Sequence, residues 1–190
     1  AILVKDQKAA AFVMEDGTFE GVYRITEKVC GDVEQVTGVR PKIIKWQGAL
    51  QPAQVYVATL GNSEMSEAIA EEEGIELSSL CGKRECFLFQ VLKNGSLLIA
   101  GSDKRGTIYG LFHISELMGV SPFVHFADVV PAPQKEIIFS EKDSMQSKEP
   151  SVKYRGFFIN DEWPAFGNWT FSHYGGFTAE MYDLIFETLL

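Results

Sequence analysis

The sequence lacks any apolar run long enough to cross a membrane. Its uncharged apolar runs are only a few residues, against the ~20 that a spanning helix needs. It also lacks an excess of basic residues. With 17 Lys+Arg against 26 Asp+Glu in 190 residues, the formal charge is −9, the wrong sign for binding a phosphate backbone by counterion release. Neither nucleic acid nor membrane is therefore an expected partner. Cysteine is scarce: Cys30, Cys81 and Cys86 are an odd set without zinc-ligand spacing. Cys30 lies on a helical stripe, where a thiol packs as a small hydrophobe. Cys81 and Cys86 are near enough in sequence to pair across four residues. The three histidines, His113, His125 and His173, join no His/Cys/carboxylate cluster, so no metal and no cofactor is expected. A Gly-x-Ser-x-Gly nucleophile elbow and a basic leader with a cleavage site are both missing.

What is present is globular: 46% hydrophobic and 23% charged residues, enough to bury a core. The length suits one domain, or one domain and part of another, and falls short of the ~250 residues of a whole (β/α)8 barrel. Ala10–Met14 reads as a strand. Val22, Ile25, Val29, Val33 and Val36 then form one helical stripe, with Thr18 as expected N-cap and Gly38 as C-cap. Val55–Leu60 reads as a buried strand, followed by a Glu-rich helix over Ser63–Glu73. From Cys86 to Gly101 two apolar runs flank Asn94-Gly95, which predicts a hairpin with a type I′ turn. Ser102 and Asp103 should cap a helix that carries Ile108, Leu111 and Phe112 and ends at Gly119. Gly106 and Gly110 share a face of it, where a neighbouring backbone can come close.

After Val129–Pro133 and an edge strand at Lys135–Ser140, the polar stretch Glu141–Ser151 predicts a linker. The expected organisation is a mixed-sheet α/β domain with packed helices over residues 1–150, followed by a second unit over residues 151–190. In that unit Val152–Ile159 reads as a strand, Trp163–Phe177 as a long aromatic, Gly-rich loop, and Thr178 as the cap of a last helix with Met181, Leu184, Ile185 and Leu189 on its apolar face. That helix shows no stop signal, so the chain reads as cut inside a second unit.

Three places can carry chemistry. Asn160-Asp161-Glu162 follows an apolar strand, where βα proteins place ligand-contacting groups; the same residues also suit a capped strand end. The aromatic loop, with Trp163, Phe166, Trp169, Phe171, Tyr174 and Phe177, suits stacking on sugar rings, or else forms the floor of the second unit. Gly101–Gly106 has the outline of an anion cradle but not its Gly-Lys-Ser/Thr end, and fits a helix cap better. His113 and His125 read as structural, and His173 alone falls in the aromatic loop.

The stretches GSDKRGTIYGLFHISELMGVSPF (Gly101–Phe123), EPSVKYRGFFINDEWPAFGNW (Glu149–Trp169) and HYGGFTAEMYDLIFETLL (His173–Leu190) resemble the N-terminal region of glycoside hydrolase family 115. These are α-glucuronidases that remove glucuronic acid or its 4-O-methyl ether from xylan. The resemblance implies an N-terminal α/β domain followed by a (β/α)8 barrel, of which residues 151–190 would be the first, incomplete βα unit. It implies substrate binding by Asp161, with Asn160, Glu162 and Trp163 beside it, and tips Asp161 from capping toward ligand contact. The family usually has more Trp in the stretch that matches Ser121–Asp128. Its inverting hydrolysis needs two carboxyls ~6.5–9.5 Å apart; Asp161 and Glu162 are adjacent, so the catalytic acid and base are expected beyond residue 190 and the chain alone is expected to be inactive. The implied partners are glucuronoxylan or its oligosaccharides and the rest of the barrel, with a homo-oligomer left open, and the implied location is secreted or periplasmic. The alternative is a stand-alone carbohydrate-binding or structural accessory α/β domain.

Overall fold

A computed structural model describes residues 1–190. The strands are β1 (Ile2–Lys5), β2 (Lys8–Ala9), β3 (Phe12–Met14), β4 (Ile43–Lys45), β5 (Val55–Thr59), β6 (Phe87–Val91), β7 (Leu97–Gly101), β8 (Ile137–Ile138) and β9 (Met145–Gln146). The helices are α1 (Glu20–Thr37), α2 (Glu64–Glu73), α3 (Lys104–Leu117), α4 (Ala165–Tyr174) and α5 (Ala179–Leu189). The result is a mixed α/β protein with two sheets and five helices. It divides into two compact units: Ala1–Val120 with Pro131–Pro150, and Ser121–Val130 with Ser151–Leu190.

Unit 1 is built on a six-stranded sheet in the order β4-β3-β5-β7-β6-β9. β4, β3, β5 and β7 run parallel; β6 and β9 are antiparallel additions. The central strands β5 and β7 are buried along their whole length, as expected of parallel strands covered on both faces. On one face Val13, Tyr56, Ala58, Leu88, Leu98 and Ala100 pack against Met65 and Ile69 of α2. On the other, Phe87 and Ile99 meet α3 at Gly110, and Phe89 meets His113 edge-on at 5.3 Å. A small three-stranded sheet, β2-β1-β8, flanks this body.

The stripe on α1 is buried as its spacing predicts: Val22, Ile25, Val29, Cys30, Val33 and Val36 are all inside. Burying each such side chain contributes on the order of 1.5–3 kcal/mol, far more than the exposed Arg24–Glu20 pair on the same helix. Gly38 ends α1 in the left-handed conformation (φ 76°). Its start differs from expectation. Phe19 is the N-cap residue and no side chain caps the helix; Thr18 is used instead in a turn whose N–H donates to Glu15 O.

The hairpin forms in the expected place with a different turn. Only Gly95 has positive φ there (83°), Gly95 N–H donates to Leu92 O, and Leu92 N–H donates to Ser96 O. That is a three-residue loop with a glycine bulge rather than a type I′ pair. The two-residue loop with both φ angles positive lies elsewhere, at Asp6-Gln7 between β1 and β2.

Two other expectations are corrected. Glu141–Ser151 is not a free linker. β9 pairs with β6, and the hydroxyls of Ser144 and Ser147 accept the N–H groups of Val91 and Phe87. Arg84 pairs with Glu149 at 2.9 Å and donates to Pro150 O. The polar composition that suggested a tether supplies the hydroxyls that complete a sheet edge. Val152–Ile159, expected as a strand, forms no ladder. Tyr154, Phe157 and Phe158 are each at least 78% exposed, and a strand needs a neighbour to exchange hydrogen bonds with.

In unit 2 the expected aromatic loop contains a helix, α4. Gly175 closes it in the left-handed conformation (φ 72°) and accounts for one of the glycines that suggested a loop. Thr178 caps α5 as predicted, its hydroxyl accepting from Met181 N–H.

The close approach of α3 predicted from its glycines is observed. A Cβ at Gly106 would collide with the carbonyl of Cys86, and one at Gly110 would come within 2.7 Å of Ile99. Gly106→Ala is expected to destabilise unit 1 by about 3 kcal/mol, whereas Gly21→Ala, with nothing nearer than 3.9 Å, should be neutral or slightly stabilising; urea denaturation followed by circular dichroism compares them. All three thiols are free. Burial, with Glu27 adding to it, pushes the Cys30 thiol up to about 12. An unfolded thiol ionises near 8.5, so from there to about pH 12 the unfolded state loses a proton that the folded state keeps, and stability falls as pH rises. Cys30→Ala should flatten that alkaline loss in pH-dependent melting.

Candidate functional site

The sequence-predicted residues lie together in a turn of unit 2. Glu162 N–H donates to Asn160 Oδ1 at 3.3 Å, an Asx-type closure that lets the short amide side chain stand in for a backbone acceptor. Gly167 N–H donates to Glu162 O at 3.3 Å, which ties this turn to the start of α4. Asp161 and Glu162 are exposed. Trp163 is held against α4 because position 167 has no side chain: a Cβ there would lie 3.0 Å from the indole. Its ring centroid is 5.5 Å from that of Phe171, and 59% of the residue stays exposed. Two carboxylates and an indole are thus presented on one short segment.

A cavity of about 510 Å³ lies in the same unit. Asn160 lines it, together with Phe157 and Phe158; Asp161, Glu162 and Trp163 do not. Its walls also include Phe123, Phe126 and Trp169. Sequence reasoning missed the first two as site residues. The aromatics of Ser121–Asp128 are the signal that could have found them, and the segment is a series of turns. That segment is pinned to α5 twice. Thr188 Oγ1 donates to Pro122 O at 3.2 Å, and His125 Nε2 is 3.8 Å from Glu187 Oε1.

The other candidates have local roles. Phe166 stacks on Trp169 at 5.8 Å and contacts Phe177 at 5.8 Å, forming the floor of the unit. His173 Nδ1 is 2.8 Å from Trp169 O, one turn back on α4. His113 lies tilted against Phe87 and edge-on to Phe89 in unit 1 and pairs with Glu116. At Gly101–Gly106 the helix terminus is occupied by Asp103, whose Oδ1 accepts from Gly106 N–H and Oδ2 from Glu85 N–H. An acid already fills the position where an anion would bind, so this is a cap. No group of three or more His, Cys, Asp or Glu side chains is placed to hold a metal ion.

Chemically, the turn can do two things. Exposed carboxylates accept hydrogen bonds from sugar hydroxyls, and an exposed indole face packs on the C–H face of a pyranose. It does not by itself straddle a glycosidic bond. Inversion requires two carboxyls ~6.5–9.5 Å apart with a water between, and Asp161 and Glu162 are consecutive residues of one turn.

The class of protein is given by the profile of glycosyl hydrolase family 115, which matches residues 147–190 and so includes the Asn160–Trp163 turn and both helices of unit 2. Among solved structures, the chain is similar to BtGH115A, described as a family GH115 4-O-methyl-α-glucuronidase with specificity for decorated arabinogalactans. The identity is 30% and the TM-score 0.81, over 99% of this chain and 24% of that one. The chain therefore belongs to glycoside hydrolase family 115 and spans about a quarter of the length of this relative. CpGH84D, at 12% identity and a TM-score of 0.53 over 83% of this chain and 23% of its own, shares the fold alone. No curated protein matches.

The contact between Trp163 and Gly167 gives a direct test of the site's geometry. Gly167→Ala should displace the indole and change the near-ultraviolet circular dichroism, with stability changed by no more than about 1 kcal/mol because alanine favours the helix. An unchanged spectrum would show that the ring does not rest there.

Proposed function

We propose that this chain is the N-terminal portion of an inverting α-glucuronidase that removes glucuronic acid or its 4-O-methyl ether from xylan, and that residues 151–190 supply the first βα unit of its (β/α)8 barrel. The observation that carries this reading is the family match over residues 147–190, the span that holds the acidic turn. Within it Asp161 contacts the uronic acid and Trp163 offers a stacking face, with Asn160 and Glu162 holding the turn. The acid that protonates the leaving oxygen and the base that activates water come from other barrel strands, so the chain alone does not turn over. A polysaccharide substrate is met outside the cytoplasm, in keeping with a secreted or periplasmic enzyme.

A second reading concerns the polymer. BtGH115A acts on decorated arabinogalactans, and a uronic acid side chain presents the same group to be removed whether the main chain is a xylan or a galactan. Here the main chain is the variable and the uronic acid the constant.

Release of glucuronic acid from glucuronoxylan and from a glucuronidated arabinogalactan, measured in parallel, is the test. The 190-residue chain should release none from either. In a polypeptide extended to the length of the relative, Asp161→Ala should lower kcat/KM by at least tenfold with unchanged melting. Wild-type kinetics in that variant, or turnover by the short chain, would refute the assignment.

A further inference from the structure

Unit 1 carries a second cavity, of about 400 Å³, unrelated to the acidic turn of unit 2. It opens at the carboxyl ends of β3 and β4, between the loop that leaves β3, the first turn of α1 and the outer strand of the sheet. The chain leaves β3 through α1 to reach β4 on one side, while β5 lies on the other side of β3. β3 is thus where the strand order reverses. In open parallel sheets ligands bind outside the carboxyl ends of the strands. The crevice between β3 and β5 is taken up by bonds from Asn62 to Gly17 and from Met65 to Glu15, and the cavity opens at the same end on the β4 side of β3.

The lining has the makeup of a polyol site. Ile43 supplies an apolar wall, and Tyr23, 44% exposed, supplies a ring. Asp16 and Glu20 are acceptors; Lys45, paired with Asp16, is a donor. α1 begins without a side-chain cap, and Glu20 of its first turn lines the same mouth. Glu15 is committed, its Oε1 accepting from Met65 N–H at 3.0 Å, which fixes the loop. Glu15, Asp16 and Glu20 are set against Lys45 and against Arg24, which pairs with Glu20, so one negative charge is left in excess, which disfavours a uronate. The ligand with hydroxyls to donate and accept, a C–H face for Tyr23 and no negative charge is a neutral sugar.

We propose that this cavity is a second carbohydrate-contact site, taking an uncharged stretch of the polysaccharide main chain apart from the uronic acid handled by unit 2. The choice of ligand rests on the glucuronidase reading above; the cavity and its lining do not.

The experiment is titration of the 15N-labelled 190-residue chain with a neutral xylo-oligosaccharide, a neutral galacto-oligosaccharide and glucuronic acid, followed by amide shifts. Saturable shifts at Gly17, Tyr23 and Ile44 with one of the neutral oligosaccharides, and none with glucuronic acid, are expected; which one responds identifies the main chain. Tyr23→Ala should weaken binding roughly tenfold, and Tyr23→Phe, which keeps the ring, should restore it, both variants melting like wild type. No shifts at these amides up to roughly 10 mM, equal shifts with glucuronic acid, or full binding by Tyr23→Ala would each overturn the proposal. Those outcomes leave the Asp161→Ala result untouched, so loss of this site and loss of the enzymatic reading are told apart.

Discussion

The fold of unit 1 depends on how closely the backbone of α3 approaches the start of β6. Cys86 O accepts from Ser102 N–H at 2.8 Å, Cys86 N–H donates to the Ser102 hydroxyl, and the Cα of Gly106 lies over that same carbonyl. Asp103 then joins the two elements by accepting from both Gly106 and Glu85. Any side chain at position 106 would lift the helix from the hairpin. The aromatic layer of Phe87, Phe89 and His113, and the contact of α3 with α1 through Ser115 and Asp32 at 2.6 Å, both follow from that approach.

What was legible in the sequence was whatever a single element's own periodicity or chemistry determines. The α1 stripe, the Asp103 and Thr178 caps, and the hairpin around Gly95 needed no partner to be recognised. What was not legible depended on distant residues. β9 is two residues long and exists only because β6 offers an open edge to it. Val152–Ile159 has the composition of a strand and lacks a ladder. α4 was hidden by its own makeup, since the aromatics and glycine inside Ala165–Tyr174 argue for a loop until Trp163 is seen filling the space that Gly167 leaves.

The candidate site divides in the same way. The run Asn160–Trp163 stood out as a local motif, and the structure adds the reason for its shape: an Asx closure, a bond to α4 and an indole seated on a glycine. The neighbouring cavity could not be read from the sequence, because Phe123 and Phe126 come from a segment more than thirty residues earlier. The family match spans this motif, and its two acids, being consecutive residues of one turn, do not by themselves make the separated pair that inversion requires.

The stitching of Ser144–Ser147 onto β6 bears on how the chain survives its own synthesis. Phe87–Val91 is a short, uncharged, β-prone segment, the kind that pairs with copies of itself when its edge is open. Its cover is encoded late, Ser144 lying 53 residues after the Val91 N–H that it satisfies. Until that stretch leaves the ribosome, a nascent chain presents an unguarded edge to its neighbours, and the polar segment works as a gatekeeper that arrives after the strand it protects.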